Sequence, residues 1–202
     1  TLPRMDLRKD IRRLQKRYFR HFPEEKAETG PFTEFVARFD GESLYDRKNL
    51  AGHITAGGVS VSRASHRVLL LKHRQLGKWL QPGGHVEAAD DSVLDAAYRE
   101  IAEETGIRSE QLTPLTFPGE TALPLDMDSH YIPACAAKNE AQHTHHDMRF
   151  VFLFDGDDDR VMIDRNESDA FRWVSLDELA AIPDFRDLAP RIEPLLGEAD
   201  AK

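Results

Sequence analysis

The chain has 202 residues, 40% of them hydrophobic and 31% charged, and a formal net charge of −9 at pH 7. That length allows one full core with an appendage rather than two ordinary domains, and that charge argues against a general nucleic-acid binder. A single cysteine, Cys135, excludes an internal disulfide and any cysteine-based zinc site, which fits a reducing compartment with cytoplasm as the default.

Charge is unevenly spread. Residues 1–20 hold eight positive groups against Asp6 and Asp10, a local balance of +6 that leaves −15 for the remainder. Leu7, Ile11, Leu14 and Tyr18 recur at helical spacing among those basic residues, so an amphipathic helix is predicted over about 4–21. Its apolar stripe must dock against something, as a packing or dimer-forming appendage. A second helix is predicted at "PFTEFVARF", opened by Pro31 and burying Phe32, Phe35, Val36 and Phe39. The texture then changes. "GHITAGGVSVS" and "RVLLLKH" are rich in β-branched and aliphatic residues and read as paired strands, followed by "KWLQPGGHVE" as a short strand ending in a Pro-Gly-Gly turn.

The next helix begins near "DDSVLDAAYRE", where Ser92 with Asp95 makes a capping box, and ends at Gly106. Val93, Leu94, Ala97 and Ile101 form its apolar face, so Glu100, Glu103 and Glu104 are expected to point largely away from the core. Carboxylates at i, i+3 and i+4 share one face and repel unless a cation sits among them. A solvated surface helix is the ordinary alternative. Beyond it, "SHYIPA", "MRFVFLF" and "AFRWV" read as strands, and Ser175 with Glu178 caps a last helical region interrupted by Pro183. The pattern is that of mixed strands and helices in one layered α/β or α+β structure. No apolar run approaches membrane-spanning length, and no signal-peptide-like stretch is present.

Over "PGGHVEAADDSVLDAAYREIAEETGI" the chain resembles the Nudix hydrolase signature, G-x5-E-x7-R-E-U-x-E-E-x-G-U with U a bulky aliphatic. Arg99, Glu100, Ile101, Glu103, Glu104, Gly106 and Ile107 fill every specified position of its second half. The first half departs from it. Eight residues before Arg99, where the signature has Glu, stands Asp91, and six earlier, where it has Gly, stands His85 with Gly84 just ahead. One extra residue lies in the loop, and either Asp90 or Asp91 is left to fill the first acidic position.

The resemblance implies an α/β fold, a Nudix-like α/β/α sandwich with a mixed sheet, over residues 49–198, with residues 1–48 as an N-terminal helical extension. It implies a strand-loop-helix site that binds Mg²⁺ or Mn²⁺ and hydrolyses the diphosphate of a small nucleoside-diphosphate derivative. Carboxylates are natural ligands for such ions, which keep waters and accept phosphate oxygens. Glu100, Glu103 and Glu104 are then the ligand candidates, with the Gly83–Gly84 pair letting a backbone carbonyl approach. Glu100 or Glu103 is the general base, Arg99 holds a glutamate in place, and Glu167 on a later loop is a secondary base candidate. Lys72 and Arg74, with His73 and Lys78, bracket the turn into the site and are candidates to meet phosphates. Trp79 is expected in the core and Cys135 as a small buried residue.

Outside the motif, alternation along a strand places Asp126, Asp128 and His130 on one face of "DMDSH", and His143, His145 and Asp147 on one face of "HTHHD". If these strands form a hairpin, the two sets meet and supply either a transition-metal site or polar contacts to substrate. Two rival functions stand beside hydrolysis. A nucleotide-sensing module would keep the fold without turnover, and an isopentenyl-diphosphate isomerase would need a cysteine that here lies far past the motif.

Overall fold

The computed structural model describes residues 6–134 and 141–200, and Cys135 lies outside them. Helix α1 (Leu7–His21) is followed by α2 (Gly30–Arg38), then β1 (His53–Ser62), β2 (Val68–His73), β3 (Trp79–Leu80) and β4 (Gly83–His85). Helix α3 (Val93–Thr105) leads to β5 (Leu112–Pro114), β6 (Asp126–Ile132), β7 (His143–Phe154) and β8 (Ser168–Val174). Two helices close the chain, α4 (Leu176–Ala180) and α5 (Ala189–Asp200).

The axis of the sheet is the parallel pair β1–β7, in register from His53 opposite His145 to Ser62 opposite Phe154. Each member carries two further strands on its outer edge. At one end β2 and β5 flank the pair; at the other β4 and β6 do, with β8 beyond β2. Both central strands are buried on both faces, which is why "MRFVFLF" shows no polar alternation. Residues of one parity, Ile54, Ala56, Met148, Phe150 and Phe152, pack beneath α1, α2 and α3. The opposite parity, Val59, Val61, Val151 and Leu153, packs beneath α4 and α5. The result is a sheet sandwiched between helices, as expected.

Two local expectations need correction. Gly83 and Gly84 are not a turn: they pair with Gly57 and Ala56 in β4, because the turn falls earlier, between β3 and β4. Phe39 is only partly buried, since α2 ends at Arg38 and Phe39 leaves in an extended conformation. The α3 boundaries follow the predicted signals, with the Ser92 hydroxyl accepting the Asp95 N–H and Gly106 closing the helix at φ 70°.

The basic N-terminal helix is part of the core. Ile11 and Tyr18 are fully buried and Leu14 nearly so, each worth about 1.5–3 kcal/mol of apolar burial. Its polar residues reach the rest of the molecule as well. Buried Asp10 accepts the Val93 N–H at 2.9 Å, placing a carboxylate of α1 at the N-terminus of α3, where the helix dipole favours it. Arg17 donates to the Ala122 carbonyl at 3.0 Å and pairs with Glu120. From α5, Arg191 donates to the Tyr18 hydroxyl at 2.9 Å and the Leu125 carbonyl at 2.6 Å, and pairs with Glu25.

Replacing Asp10 with Ala strands the Val93 N–H in a dry environment and should destabilise the fold by about 1–3 kcal/mol. Urea unfolding measures it; a change below about 0.5 kcal/mol would show that water replaces the carboxylate freely.

Candidate active site

Helix α3 packs on β1 with β4 at its flank, and the two glycines of β4 decide where the glutamates go. A Cβ at Gly84 would come within 2.7 Å of both Glu100 carboxylate oxygens, so only glycine leaves room for that side chain. The Gly83 N–H donates to Glu104 at 2.7 Å. Glu104 is therefore only 8% exposed, and the Glu100 side chain is mostly covered as well. Glu103 alone stands in solvent, with its side chain 59% exposed. The expectation that all three point away from the core thus holds for Glu103 only, because β4 forms a floor beneath Glu100 and Glu104.

Arg99 holds the cluster together. Its Nε and Nη2 donate to the two oxygens of Asp90 at 3.0 Å each, its Nη1 to Glu100 at 2.8 Å and Glu103 at 3.2 Å, and its Nη2 also to the His85 carbonyl at 2.8 Å. The fork that suits a bidentate carboxylate explains why the residue is arginine. Of the two acidic candidates before the helix, Asp90 is buried and receives Arg99, and it also accepts the Glu87 N–H at 2.7 Å. Asp91 is exposed.

The electrostatics leave the site short of positive charge. Burial pushes the Glu104 carboxyl up to about 8, against the Gly83 hydrogen bond, with the charges of Glu167, Glu100 and Asp164 adding to the shift. Burial likewise pushes Glu100 up to about 7, opposed by Arg99 and reinforced by Glu103 and Glu167. The segment before β8 supplies the extra acids: the Asp164 N–H donates to the Glu104 carbonyl at 3.0 Å and the Met162 N–H to the Thr105 carbonyl at 2.9 Å, fastening that segment to the end of α3. An all-oxygen donor set of crowded carboxylates beside a glycine strand fits a hard divalent cation.

The other candidates separate into two groups. Lys72 is exposed on β2, and the Arg74 side chain turns to Asp169 at 2.9 Å while its N–H donates to the Glu167 carbonyl at 2.8 Å. Lys78 reaches Asp184 at 3.3 Å, and Trp79 is half-buried beneath Arg172. No contact joins these cations to the α3 carboxylates among the described residues.

The hairpin of β6 and β7 forms as its alternation suggested, with Asp128 opposite Asp147 and His130 opposite His145. Asp147 is buried and accepts the Thr55 hydroxyl at 2.7 Å. His143 and His145 share a face, their Nε2 atoms 3.0 Å apart. Burial, with the neighbouring imidazoles, drives His145 down to about 2, so it is neutral at pH 7. His146 points the other way and stacks on Phe35 at 4.2 Å.

Sequence reasoning missed His53 and His85, whose rings lie 4.8 and 5.2 Å from His145, and also missed Asp164. A histidine opening a predicted strand was the available signal for His53; the parallel register that brings it to His145 is not local information. A cavity of about 580 Å³ opens between the Glu24–Thr29 segment, β6 and the start of α5. Its lining has seven carboxylates against Arg149 and Arg191, a balance that disfavours a bare polyphosphate.

Residues 52–196 match the family described as NUDIX domain. The chain is 30% identical over 135 residues to an RNA pyrophosphohydrolase of Bartonella tribocorum, an alignment covering 62% of this chain and 73% of that protein. It is 33% identical over 85 residues to a probable DHNTP pyrophosphohydrolase of Lactococcus lactis subsp. cremoris, covering 42% and 45% respectively. A NUDIX-family hydrolase structure from Clostridium perfringens superposes with a TM-score of 0.51 at 21% identity, covering 73% of this chain and 97% of that one, which shows the shared fold. The chain belongs to the NUDIX family and is a hydrolase of phosphorus-containing anhydrides.

Proposed function

We propose that the protein is a divalent-cation-dependent pyrophosphohydrolase that cleaves the diphosphate of a small nucleoside-diphosphate derivative. One observation carries this reading: Glu100 and Glu104 of one helix lie against a glycine strand with Glu103 beside Glu100, and burial drives the first two toward protonation unless a cation joins them. Glu100, Glu103 and Glu104 would hold Mg²⁺ or Mn²⁺, with Gly83 contributing backbone. When bound, such an ion neutralises phosphoryl charge and acidifies a coordinated water.

The chain's own residues do the rest. Arg99, fixed by Asp90, keeps Glu100 and Glu103 on one side of the helix and so orients the carboxylates rather than touching substrate. Glu103 is the accessible carboxylate, and Glu103 or Glu100 would accept the proton of the water whose oxygen bonds to phosphorus as the bridging P–O bond breaks. Glu167, exposed and close enough to perturb both buried glutamates, is the second base candidate. Residues 1–48 are an extension whose side chains complete the core of a hydrolase unit over 49–198.

The relatives' names widen the substrate panel to DHNTP and RNA, while the acidic balance of the chain supports the small-molecule reading. Assaying product release with Mg²⁺ or Mn²⁺ across nucleoside-diphosphate derivatives, nucleoside triphosphates, DHNTP and RNA tests the choice. Preferred turnover of the RNA would displace the small-molecule assignment; tight nucleotide binding without turnover would favour the sensing module.

Two results are expected for variants. Glu103→Gln or Glu104→Gln should lower kcat by about 10²–10⁴-fold, while chelation abolishes wild-type turnover and Mg²⁺ or Mn²⁺ restores it. Retained turnover at saturating Mg²⁺ would remove the α3 carboxylates from the mechanism. Asp90→Ala should lower kcat by at least about tenfold with a lower Tm, because Arg99 loses its two-oxygen partner. Asp91→Ala should change neither; the reverse pattern would reassign the first acidic position.

A further inference from the structure

On the sheet face opposite α3, histidines from three strands converge. His53 opens β1, His143 and His145 lie on β7, and His85 ends β4. One ligand nitrogen from each of His53, His143 and His145 lies within 4.8 Å of the other two. The rings of His143 and His145 are centred 4.8 Å from that of His53, and the His85 ring is 4.7 Å from His53. His53 and His143 are buried, at 1% and 8% exposure. Across the sheet His130 follows on β6, its ring 5.6 Å from His145 and its Nδ1 3.2 Å from the Asp128 carboxylate.

Geometry orients one ligand in advance. The His143 Nδ1 lies 2.8 Å from the Ala141 carbonyl, which can only accept, so Nδ1 carries the proton and Nε2 turns its lone pair toward His145. Metal–nitrogen bonds of about 2.0–2.1 Å place two tetrahedral ligands about 3.3 Å apart, a separation these rings reach by small side-chain rotations. Nitrogen donors select a first-row transition ion over Mg²⁺.

We infer that His53, His143 and His145 form a second metal site, separate from the α3 carboxylates, that binds a divalent first-row transition ion of the Zn²⁺ class and keeps a fourth position open beside His85. The ion ties β1 to β7 where their parallel pairing begins. It sits next to β4, whose Gly83 and Gly84 receive Glu104 and Glu100 on the opposite face. Three protein ligands and an open position suit an oxygen ligand, either water or an anionic oxygen of substrate.

The test uses the full chain, stripped by chelation and titrated with Zn²⁺ in excess Mg²⁺, with stoichiometry by elemental analysis and Co²⁺ substitution read by visible absorption. The wild type should hold one Zn²⁺ per chain and give the intense bands of four-coordinate Co²⁺. Binding should weaken by about 10–100-fold or more in His145→Gln and be lost in His53→Ala, yet persist in Glu100→Gln/Glu104→Gln. His145 is only partly buried, so if His53→Ala does not fold, His145→Gln decides, with circular dichroism confirming its fold. Absence of tight binding, binding indifferent to His145→Gln, or binding lost only in the glutamate variant would each overturn the assignment.

Discussion

The arrangement depends on one arginine. Glu100, Glu103 and Glu104 share one side of a helix and repel one another, and Arg99 provides the only permanent positive charge bonded to Glu100 and Glu103 among the described residues. Its guanidinium also grips Asp90 and the His85 carbonyl, so one side chain joins the loop, the helix and the strand beneath them. Arg99 reaches Glu100 and Glu103 but not Glu104, which is held instead by a peptide N–H. What remains is a carboxylate pair whose burial penalty a metal ion can offset.

That local arrangement is seated on a larger one. α3 is capped from its own chain by Ser92 and from α1 by Asp10, so the basic extension sets the position of the helix that carries the glutamates. α5 answers from the other side, with Arg191 reaching Tyr18 and the segment before β6. Four of the α1 arginines are engaged within the molecule: Arg8 with Asp40, Arg12 with the Val36 carbonyl, Arg13 with Asp10 and Arg17 with Glu120. This agrees with a packing role better than with a free polyanion-binding surface.

The fold was legible in the sequence wherever the signal was local. The stripe Leu7–Ile11–Leu14–Tyr18, the Ser92 and Ser175 caps and the αL glycine at Gly106 all appear where periodicity and capping chemistry put them. The glutamate cluster was legible too, but not its burial, since that comes from β4 packing beside α3 and a Gly-Gly pair reads equally well as a turn. The extra loop residue made Asp90 and Asp91 equivalent on paper; only Arg99's reach separates them. The histidine cluster was half legible. Alternation found His143, His145 and their hairpin partners, whereas His53 arrives from some ninety residues away through a parallel register that no turn specifies.

The proposed hydrolysis requires the α3 carboxylates to be a cation site held in shape by Arg99. Mn²⁺ binding followed by the loss of its free-ion electron paramagnetic resonance signal measures this without any substrate. Glu104→Gln, and Arg99→Ala through the misplaced glutamates, should each weaken Mn²⁺ binding by at least about tenfold while the protein stays folded. Unchanged Mn²⁺ affinity in both variants would contradict this requirement and leave the glutamates as a buried structural cluster.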